Sequence, residues 1–275
     1  MKQEISQIKS IGVFDSGFGG LTVLRALLDQ LPGADYTYLG DTARLPYGAK
    51  SQATVARYAV SSARFLVEEG AEYLVIACNT ASALALDPIR DAVRVPVLGV
   101  IETGANAALA STKTRDVLVM ATAATVESHA YAAACRDREL RAYEKACPLL
   151  VPLVEEGWTN HPVTEEVLRI YLAELMAESA ERNLNPDTLV LGCTHYPLLR
   201  ANIERAVPDT IRVIDSADVT AEQVAAANPR LKSKTPGSQP TRLFYATDSV
   251  SKFRRLGEKF LGTPIDEVEL IDLGG

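Results

Sequence analysis

The residues YLVIACNTAS at positions 73–82 share a pattern with TLVLGCTHYP at positions 188–197. Each stretch is a short apolar run that ends in a cysteine and continues into polar side chains. The two cysteines, Cys78 and Cys193, are 193 − 78 = 115 positions apart in a chain of 275 residues. Ligands of open α/β sheets bind at the carboxyl ends of strands of this kind. We therefore expect two similar α/β units that bring Cys78 and Cys193 to opposite sides of a cleft.

A second pair of stretches supports the internal repeat. IGVFDSGFGG at positions 11–20 and VLVMATAATV at positions 117–126 are both apolar runs that enter a turn of small residues. The glycine-rich turn matches neither the G-x-G-x-x-G pattern nor the phosphate loop that ends in Gly-Lys-Ser/Thr. Backbone amides at such a turn can approach an anion closely. The turn after Asp15 and Ser16 is therefore expected to suit a small carboxylate.

Apolar runs alternate with helical patterns along the whole chain, which is typical of parallel sheets flanked by helices. Strands are predicted at 10–15, 35–40, 72–77, 95–100, 116–121, 187–192, 211–215 and 242–247. Helices are predicted at 20–31, 51–69, 81–93, 102–111, 164–182, 198–206, 217–227 and 249–261. Thr164, before Glu165 and Glu166, is predicted to cap its helix. Residues 228–241 are rich in Pro, Ser and Lys and are predicted to form a surface loop or linker.

Composition argues against several classes of protein. The net charge is −7 and the sequence pI is about 5.2, without a block of lysine and arginine, so nucleic-acid binding is not expected. No apolar stretch approaches the roughly 20 residues that span a membrane. The polar N-terminus MKQEISQIKS lacks the apolar core of a signal peptide. A cytoplasmic protein is therefore expected.

The four cysteines fall into two groups. Cys135 and Cys147 are predicted to be packing residues, and all four are expected to be free thiols because their spacing fits neither a zinc site nor a disulfide framework. Cys78 and Cys193 each precede a predicted helix start, where the helix dipole favours a thiolate. Ionising a thiol of pKa about 8.5 at pH 7 costs roughly 2 kcal/mol, and a helix terminus contributes about 0.3–1 kcal/mol, or up to ~2 when partly buried. We therefore favour a functional role for this pair.

Other polar residues have weaker indications. His129 and His161 are expected to be structural hydrogen-bonding residues, whereas His195 lies two positions from Cys193, where it can orient the thiol or relay its proton. The loop GDTARLPYG at 40–48 is predicted to form a lid or wall, in which Asp41 either caps the loop or lies near the site. Lys50 and Lys145 are the lysines nearest the motifs, but neither is accompanied by an evident phosphate cup for pyridoxal phosphate.

Six strings together resemble the glutamate racemases of the aspartate/glutamate racemase superfamily. They are VFDSGFGGLTV at 13–23, GDTARLPYG at 40–48, ACNTAS at 77–82, ATAATVES at 121–128, CPLLVPLVEEG at 147–157 and GCTHYPLL at 192–199. The resemblance implies two α/β domains related by a pseudo-two-fold axis, with the active site in the cleft between them. The first domain would contain residues 1–98 and 214–275, and the second residues 99–213.

The resemblance also implies roles for individual residues. Cys78 would remove the α-proton of D-glutamate and Cys193 that of L-glutamate, with Asp15 supporting Cys78, and His195 and Glu155 supporting Cys193. Glu156 leaves the position of the supporting acid uncertain by one. The implied substrate contacts are Asp15, Ser16, Pro46, Tyr47, Gly48, Asn79, Thr80, Thr122, Thr125, Thr194 and His195. The chain departs from the family at Ala121 and Ala124, where glycine is common.

The expected activity is therefore interconversion of L- and D-glutamate without cofactor or metal, supplying D-glutamate for peptidoglycan. A homodimer is compatible with this expectation. Two alternatives remain open: a racemase of the same superfamily that acts on aspartate or another amino acid, and a dicarboxylate-binding protein that has lost catalysis. Retention of both cysteines argues against the second alternative, because binding alone requires neither.

Overall fold

The computed structural model describes residues 8–233 and 239–274. Within these residues ten strands form two sheets, and every pairing between them is parallel. The strands are β1 (Ser10–Asp15), β2 (Asp35–Gly40), β3 (Tyr73–Ile76), β4 (Val97–Gly99), β5 (Asp116–Ala121), β6 (Arg141–Ala146), β7 (Thr188–Gly192), β8 (Arg212–Asp215), β9 (Arg242–Ala246) and β10 (Glu269–Leu270). The predicted α/β class with parallel sheets is confirmed.

Eleven α-helices are present in the described part of the chain. They are α1 (Leu21–Gln30), α2 (Gln52–Glu68), α3 (Asn79–Ala92), α4 (Val100–Ser111), α5 (Ala123–Glu127), α6 (Ala130–Arg136), α7 (Leu150–Glu155), α8 (Pro162–Glu181), α9 (Arg200–Ala206), α10 (Ser216–Ala227) and α11 (Val250–Leu261). Helices pack against the sheets, and the central strands β1, β3, β5 and β7 are buried as nearly continuous apolar runs.

The strand order repeats between the two sheets. The first sheet has the order β10-β9-β2-β1-β3-β4, and the second has the order β6-β5-β7-β8. The run β2-β1-β3-β4 therefore corresponds strand by strand to β6-β5-β7-β8. Cys78 follows β3 and Cys193 follows β7, so the two cysteines occupy equivalent positions in the repeated units.

Several expectations need correction. Helix α8 begins at Pro162 and is capped by His161, whose Nδ1 accepts a hydrogen bond from the Val163 amide at 3.1 Å. Proline suits the first position of a helix because its φ is already helical and its missing N–H would be unpaired there. Thr164 is therefore not the cap; it is buried inside the helix, and its hydroxyl donates to the Trp158 carbonyl at 2.7 Å.

The predicted helix start directly after Cys193 is also wrong. Cys193 is not directly followed by an α-helix, because a turn and a 3₁₀ helix at Tyr196–Leu199 precede α9. Strand β6 was not predicted, since its half-buried sequence RAYEKA lacks an apolar run. In the segment 228–241, residues 229–232 form a 3₁₀ helix with Leu231 buried, and positions 234–238 lie outside the described residues.

The domain boundaries remain a prediction. The boundary at 98/99 falls within β4 and that at 213/214 falls within β8. Strands from residues 10–99 and 242–270 make the first sheet, and strands from residues 116–215 make the second. Among the described residues, none of the helices combines the length and apolar character needed to cross a membrane.

Candidate active site

A cavity of about 580 Å³ opens where the carboxyl ends of both sheets meet. Its walls come from the loops after β1, β2, β3 and β9 of the first sheet and after β5, β6 and β7 of the second. Cys78 and Cys193 both line it, each with about one-twentieth of its surface exposed. The other residues predicted from the sequence that line this cavity are Ser16, Pro46, Tyr47, Gly48, Asn79, Thr80, Thr122, Glu155, Thr194 and His195.

Cys78 caps the N-terminus of α3, as its position before a predicted helix implied. Its Sγ accepts a hydrogen bond from the Ala81 amide at 3.4 Å and lies 3.4 Å from Ser16 Oγ. Burial, together with the charge of Asp15, raises the pKa of the Cys78 thiol to about 12, although the bonds from Ser16 and Ala81 act in the opposite direction. Cys78 is therefore a neutral thiol at physiological pH.

Asp15 lies behind the cavity wall and does not line it. Its Oδ2 accepts a hydrogen bond from the Gly17 amide at 2.9 Å, while its buried Oδ1 has no partner among the described residues. Burial raises the pKa of this carboxyl, against the opposing charge of His195. Asp15 is thus placed to act on Cys78 through its charge, and its predicted contact with substrate stays a prediction.

The second cysteine is the first member of a chain of polar groups. Cys193 Sγ lies 3.9 Å from His195 Nδ1, and His195 Nε2 lies 3.3 Å from Glu155 Oε1. Burial alone would lower the pKa of His195, but the hydrogen bonds and charges of Cys193 and Glu155 raise it to about 10. His195 is therefore an imidazolium at neutral pH and places a positive charge beside Cys193.

Glu155, not Glu156, makes the contact with His195. Burial would raise the pKa of Glu155, but the bonds and charges of His195 and Lys252 lower it overall. Its second oxygen, Oε2, lies 3.3 Å from Lys252 Nζ. Glu156 also lines the cavity.

Three threonine hydroxyls join the two units across the cavity. Thr80 Oγ1, from the first turn of α3, lies 3.0 Å from Thr122 Oγ1 and 3.3 Å from Thr125 Oγ1, and the latter two lie 2.9 Å apart. Thr122 lines the cavity, whereas Thr125 is fully buried behind it. Ala121 and Ala124 do not disturb this turn, because Thr122 caps α5 with its hydroxyl.

Asn79 presents an unpaired donor. Its Oδ1 accepts a hydrogen bond from Tyr131 at 2.7 Å, while its buried Nδ2 has no partner among the described residues. A buried amide without a partner is costly. Because Asn79 lines the cavity, its Nδ2 is a donor available to a bound anion.

The loop at 40–48 forms a wall of the cavity, as predicted. Asp41 is completely buried and organises this wall: its carboxylate accepts hydrogen bonds from the Tyr47 hydroxyl and from Thr247 Oγ1. Glycine is needed at position 48, because a Cβ there would lie 2.9 Å from Cβ of Thr122. The wall thereby approaches the loop after β5 closely.

The sequence analysis did not single out some of the residues that line the cavity. They are Phe18, Thr42, Leu45, Ala49, Ala123, Pro148, Val151, Pro152, Asp248, Ser249 and Lys252. Residues 248–252 follow β9, so the same rule that selected Cys78 applies to them, but they contain no cysteine or histidine to draw notice. Lys50 and Lys145 do not line the cavity, and Lys145 instead pairs with Glu174 and Glu178.

The remaining cysteines and histidines have structural surroundings. All four cysteines are free thiols, and Cys135 and Cys147 are fully buried and do not line the cavity. His129 pairs with Glu144 at 3.2 Å, and His161 caps α8, as expected of structural residues. The part of the chain that the structure describes contains no cluster of three or more His, Cys, Asp or Glu side chains able to hold a metal ion.

Comparisons with known proteins agree with this architecture. The family model for Asp/Glu/hydantoin racemases matches residues 11–224. A glutamate racemase of Koribacter versatilis is 52% identical over 96% of this chain and 98% of its own length, and one of Syntrophus aciditrophicus is 44% identical over 99% and 100%.

Among solved structures, the glutamate racemase of Francisella tularensis in complex with D-glutamate superposes with a TM-score of 0.87 at 35% identity. The match covers 97% of this chain and 98% of that protein. The chain described here belongs to the Asp/Glu/hydantoin racemase family.

Proposed function

We propose that this racemase interconverts L- and D-glutamate by proton transfer at the α-carbon, with Cys78 and Cys193 as the two acid–base groups and without a cofactor. The observation that carries the proposal is that cysteines at equivalent positions of the two units line one cavity. Inversion of a stereocentre requires a base on one face of the α-carbon and an acid on the other. Paired thiols that arise from a repeated unit meet this requirement.

The proton balance assigns opposite states to the two cysteines. With L-glutamate bound, the thiolate of Cys193 removes the α-proton and the thiol of Cys78 donates a proton to the opposite face. D-glutamate leaves an enzyme with Cys193 protonated and Cys78 ionised, and proton exchange with solvent resets it. The reverse reaction begins from that second form.

The charges around the two cysteines favour the form of the protein that reacts with L-glutamate. His195 carries a proton beside Cys193, while burial and Asp15 hold Cys78 as a thiol. For Cys78 to become the base, a positive charge must offset the negative charge of Asp15 and the free-energy cost of a thiolate buried away from water. The ammonium group of the substrate carries such a charge.

The α-proton of an amino acid is a weak acid, so the carbanion that forms must be stabilised. Turnover of roughly 10 per second corresponds to a barrier of about 16 kcal/mol. Asn79 Nδ2 and the hydroxyls of Thr80, Thr122 and Thr194 are the donors we assign to the α-carboxylate, where negative charge increases in the transition state. Ser16, Pro46, Tyr47 and Gly48 form the wall that we assign to the side chain of the substrate.

Glutamate is preferred over aspartate in this proposal because relatives that are 44–52% identical over nearly their full length are named glutamate racemases. A protein of this family in a bacterial cytoplasm would supply D-glutamate for peptidoglycan, and hence serve cell-wall biogenesis and cell shape. A homodimer remains compatible with this role and is left as a prediction.

Circular dichroism of L-glutamate solutions tests the proposal. With purified protein and no added cofactor or metal, the signal should decay to zero, and an equal concentration of L-aspartate should keep its signal. Decay with aspartate but not with glutamate would assign the protein to an aspartate racemase. Tight binding of glutamate without any decay would instead indicate a binding protein that has lost catalysis.

A further inference from the structure

Helix α11 reaches across the cleft to the polar groups beside Cys193. It follows β9 of the first sheet and packs on α1, whereas Cys193, His195 and Glu155 belong to loops and helices of the second sheet. Two residues of α11 make the contact. Lys252 Nζ lies 3.3 Å from Glu155 Oε2, and the ring of Phe260 packs edge-on against the His195 ring with centroids 5.1 Å apart.

Lys252 is the one lysine or arginine that lines the cavity among the described residues. Its position is restrained on a second side, because its ammonium lies 5.5 Å from the centre of the Phe18 ring, which in turn packs against Phe253 of α11. Glu155 is thereby held at both oxygens, with Oε1 on His195 and Oε2 on Lys252. A carboxylate held at both oxygens has little freedom to rotate away from the imidazole.

We infer that Lys252 is a positioning residue for the Cys193 half-reaction: it fixes Glu155 from the opposite side of the cleft, so that Glu155 holds His195 against Cys193 when the cleft is closed. This inference rests on the proposed function. It assigns no contact between Lys252 and the substrate, and it makes the alignment of one cysteine depend on the approach of the two units.

The charge of Lys252 has a second effect on the same groups. His195 is faced by Cys193, Glu155 and the more distant charge of Asp15, all of which are acidic groups. Lys252 is the cation that partly balances Glu155. Loss of Lys252 removes the cation that balances Glu155, so the pKa of His195 should rise. Loss of Glu155 removes the negative charge beside the imidazolium, so the pKa of His195 should fall.

Steady-state kinetics of Lys252→Met, Lys252→Arg and the control Lys259→Met test the inference. Lys259 lies on the same helix, is exposed and does not line the cavity. Because the Lys252 side chain is 42% exposed, we expect Lys252→Met to lower kcat for L-glutamate by about two- to fivefold, the size of a partly exposed ion pair. KM should change little, Lys252→Arg should restore most of kcat, and Lys259→Met should match the unmodified protein.

A double-mutant cycle separates positioning through Glu155 from other roles. In a Glu155→Gln background, adding Lys252→Met should cause almost no further loss of kcat. The alkaline limb of the pH–kcat profile should shift to higher pH in Lys252→Met and to lower pH in Glu155→Gln.

Three results would overturn the inference while leaving glutamate racemisation intact. They are unchanged kcat in Lys252→Met, a rise in KM at constant kcat, which would indicate direct substrate contact, and an undiminished loss in the Glu155→Gln background. Absence of racemisation in the unmodified protein would instead refute the proposed function. Thermal melts of each variant check that the fold is kept.

Discussion

The four cysteines show how the surroundings of a residue determine its chemistry. Cys78 accepts a hydrogen bond from the first turn of α3, and Cys193 lies beside an imidazolium, so both have partners that can stabilise a thiolate. Cys135 and Cys147 are enclosed with no exposed surface. Burial raises the pKa of both thiols, as it does that of Cys78, so what sets Cys135 and Cys147 apart is that neither lines the cavity. Those two thiols are packing groups.

Serine substitutions should separate the two classes. Cys78→Ser and Cys193→Ser should each reduce racemisation by at least about 10³-fold, because an alcohol has a far higher pKa than a thiol and cannot hold the anionic state near neutral pH. Cys135→Ser and Cys147→Ser serve as matched controls and should keep kcat within about twofold, with a modest loss of stability. Racemisation that persists in Cys193→Ser would remove that residue from the mechanism.

The proton on His195 should also affect stability. Its pKa is about 6.5 in an unfolded chain and about 10 in the folded protein, so the folded state binds the proton more tightly. The stabilisation is complete below pH 6.5 and is lost as the pH rises toward 10. Between pH 7 and 8 the His195 proton alone lowers the free energy of unfolding by up to about 1.4 kcal/mol per pH unit, and any proton that Cys193 releases on folding offsets this slope.

Urea unfolding of Cys193→Ser and of Cys193→Ser/His195→Asn measures the His195 contribution, because no thiol at position 193 then releases a proton on folding. The window from pH 7 to 8 lies below the pKa of about 8.5 at which cysteines of an unfolded chain ionise. Cys193→Ser should show the steeper decline, and the double variant should be nearly flat whatever its absolute stability. Equal slopes would mean that His195 carries no extra proton in the folded state.

At the level of elements, strand ends explain what could be predicted. The apolar runs before Asp15, Cys78, Thr122 and Cys193 are buried parallel strands, and parallel strands place the residues that follow them at one edge of the sheet. That rule needs no knowledge of tertiary contacts. It selected most of the cavity wall, including the loop at 40–48 that follows β2.

What the sequence did not reveal depends on contacts between distant segments. Strand β6 is half exposed at the edge of its sheet, so its residues RAYEKA carry no strong apolar signal. Lys252 has the pattern of a solvated helix residue, and only the approach of α11 to α7 gives it a partner. The predicted start of α8 was wrong because it relied on Thr164 as the cap. In the structure the helix is capped by His161 and begins at Pro162.

The loop after β1 approaches the loop after β7 closely at Gly19, and a substitution there tests whether activity needs this approach. A Cβ at this position would lie 2.2 Å from Thr194 Oγ1 and 2.6 Å from His195 Nδ1. Gly19→Ala should therefore push the loop after β1 away from the loop after β7 and lower kcat by about 10- to 100-fold, since small displacements of reacting groups are costly.

Gly12→Ala is the control for a packing change alone. A Cβ at Gly12 would lie 2.7 Å from Leu74 Cδ2 and 2.9 Å from Ala71 Cβ, and none of these three residues lines the cavity. It should alter the melting temperature while kcat stays near that of the unmodified protein. Full activity in Gly19→Ala would show that the two loops need not approach so closely.

For the whole molecule, the repeated strand order is the basis of the proposed chemistry. The order β2-β1-β3-β4 recurs as β6-β5-β7-β8, and the carboxyl ends of both sheets line one cavity. A repeat of this kind presents matched groups to a ligand from two sides, which is what inversion of a stereocentre requires. A site assembled within one unit would present its acid and base from the same side.

Early isotope incorporation in D₂O tests the two-base mechanism most directly. With two groups, the proton delivered to the new face comes from a thiol that has exchanged with solvent, whereas the abstracted proton leaves on the opposite thiol. Starting from L-glutamate, the first D-glutamate formed should therefore carry deuterium at the α-carbon, and the remaining L-glutamate should carry none, as read by NMR and mass spectrometry. Deuterium that appears early in the unreacted L-glutamate would show that one group serves both faces and would contradict the account.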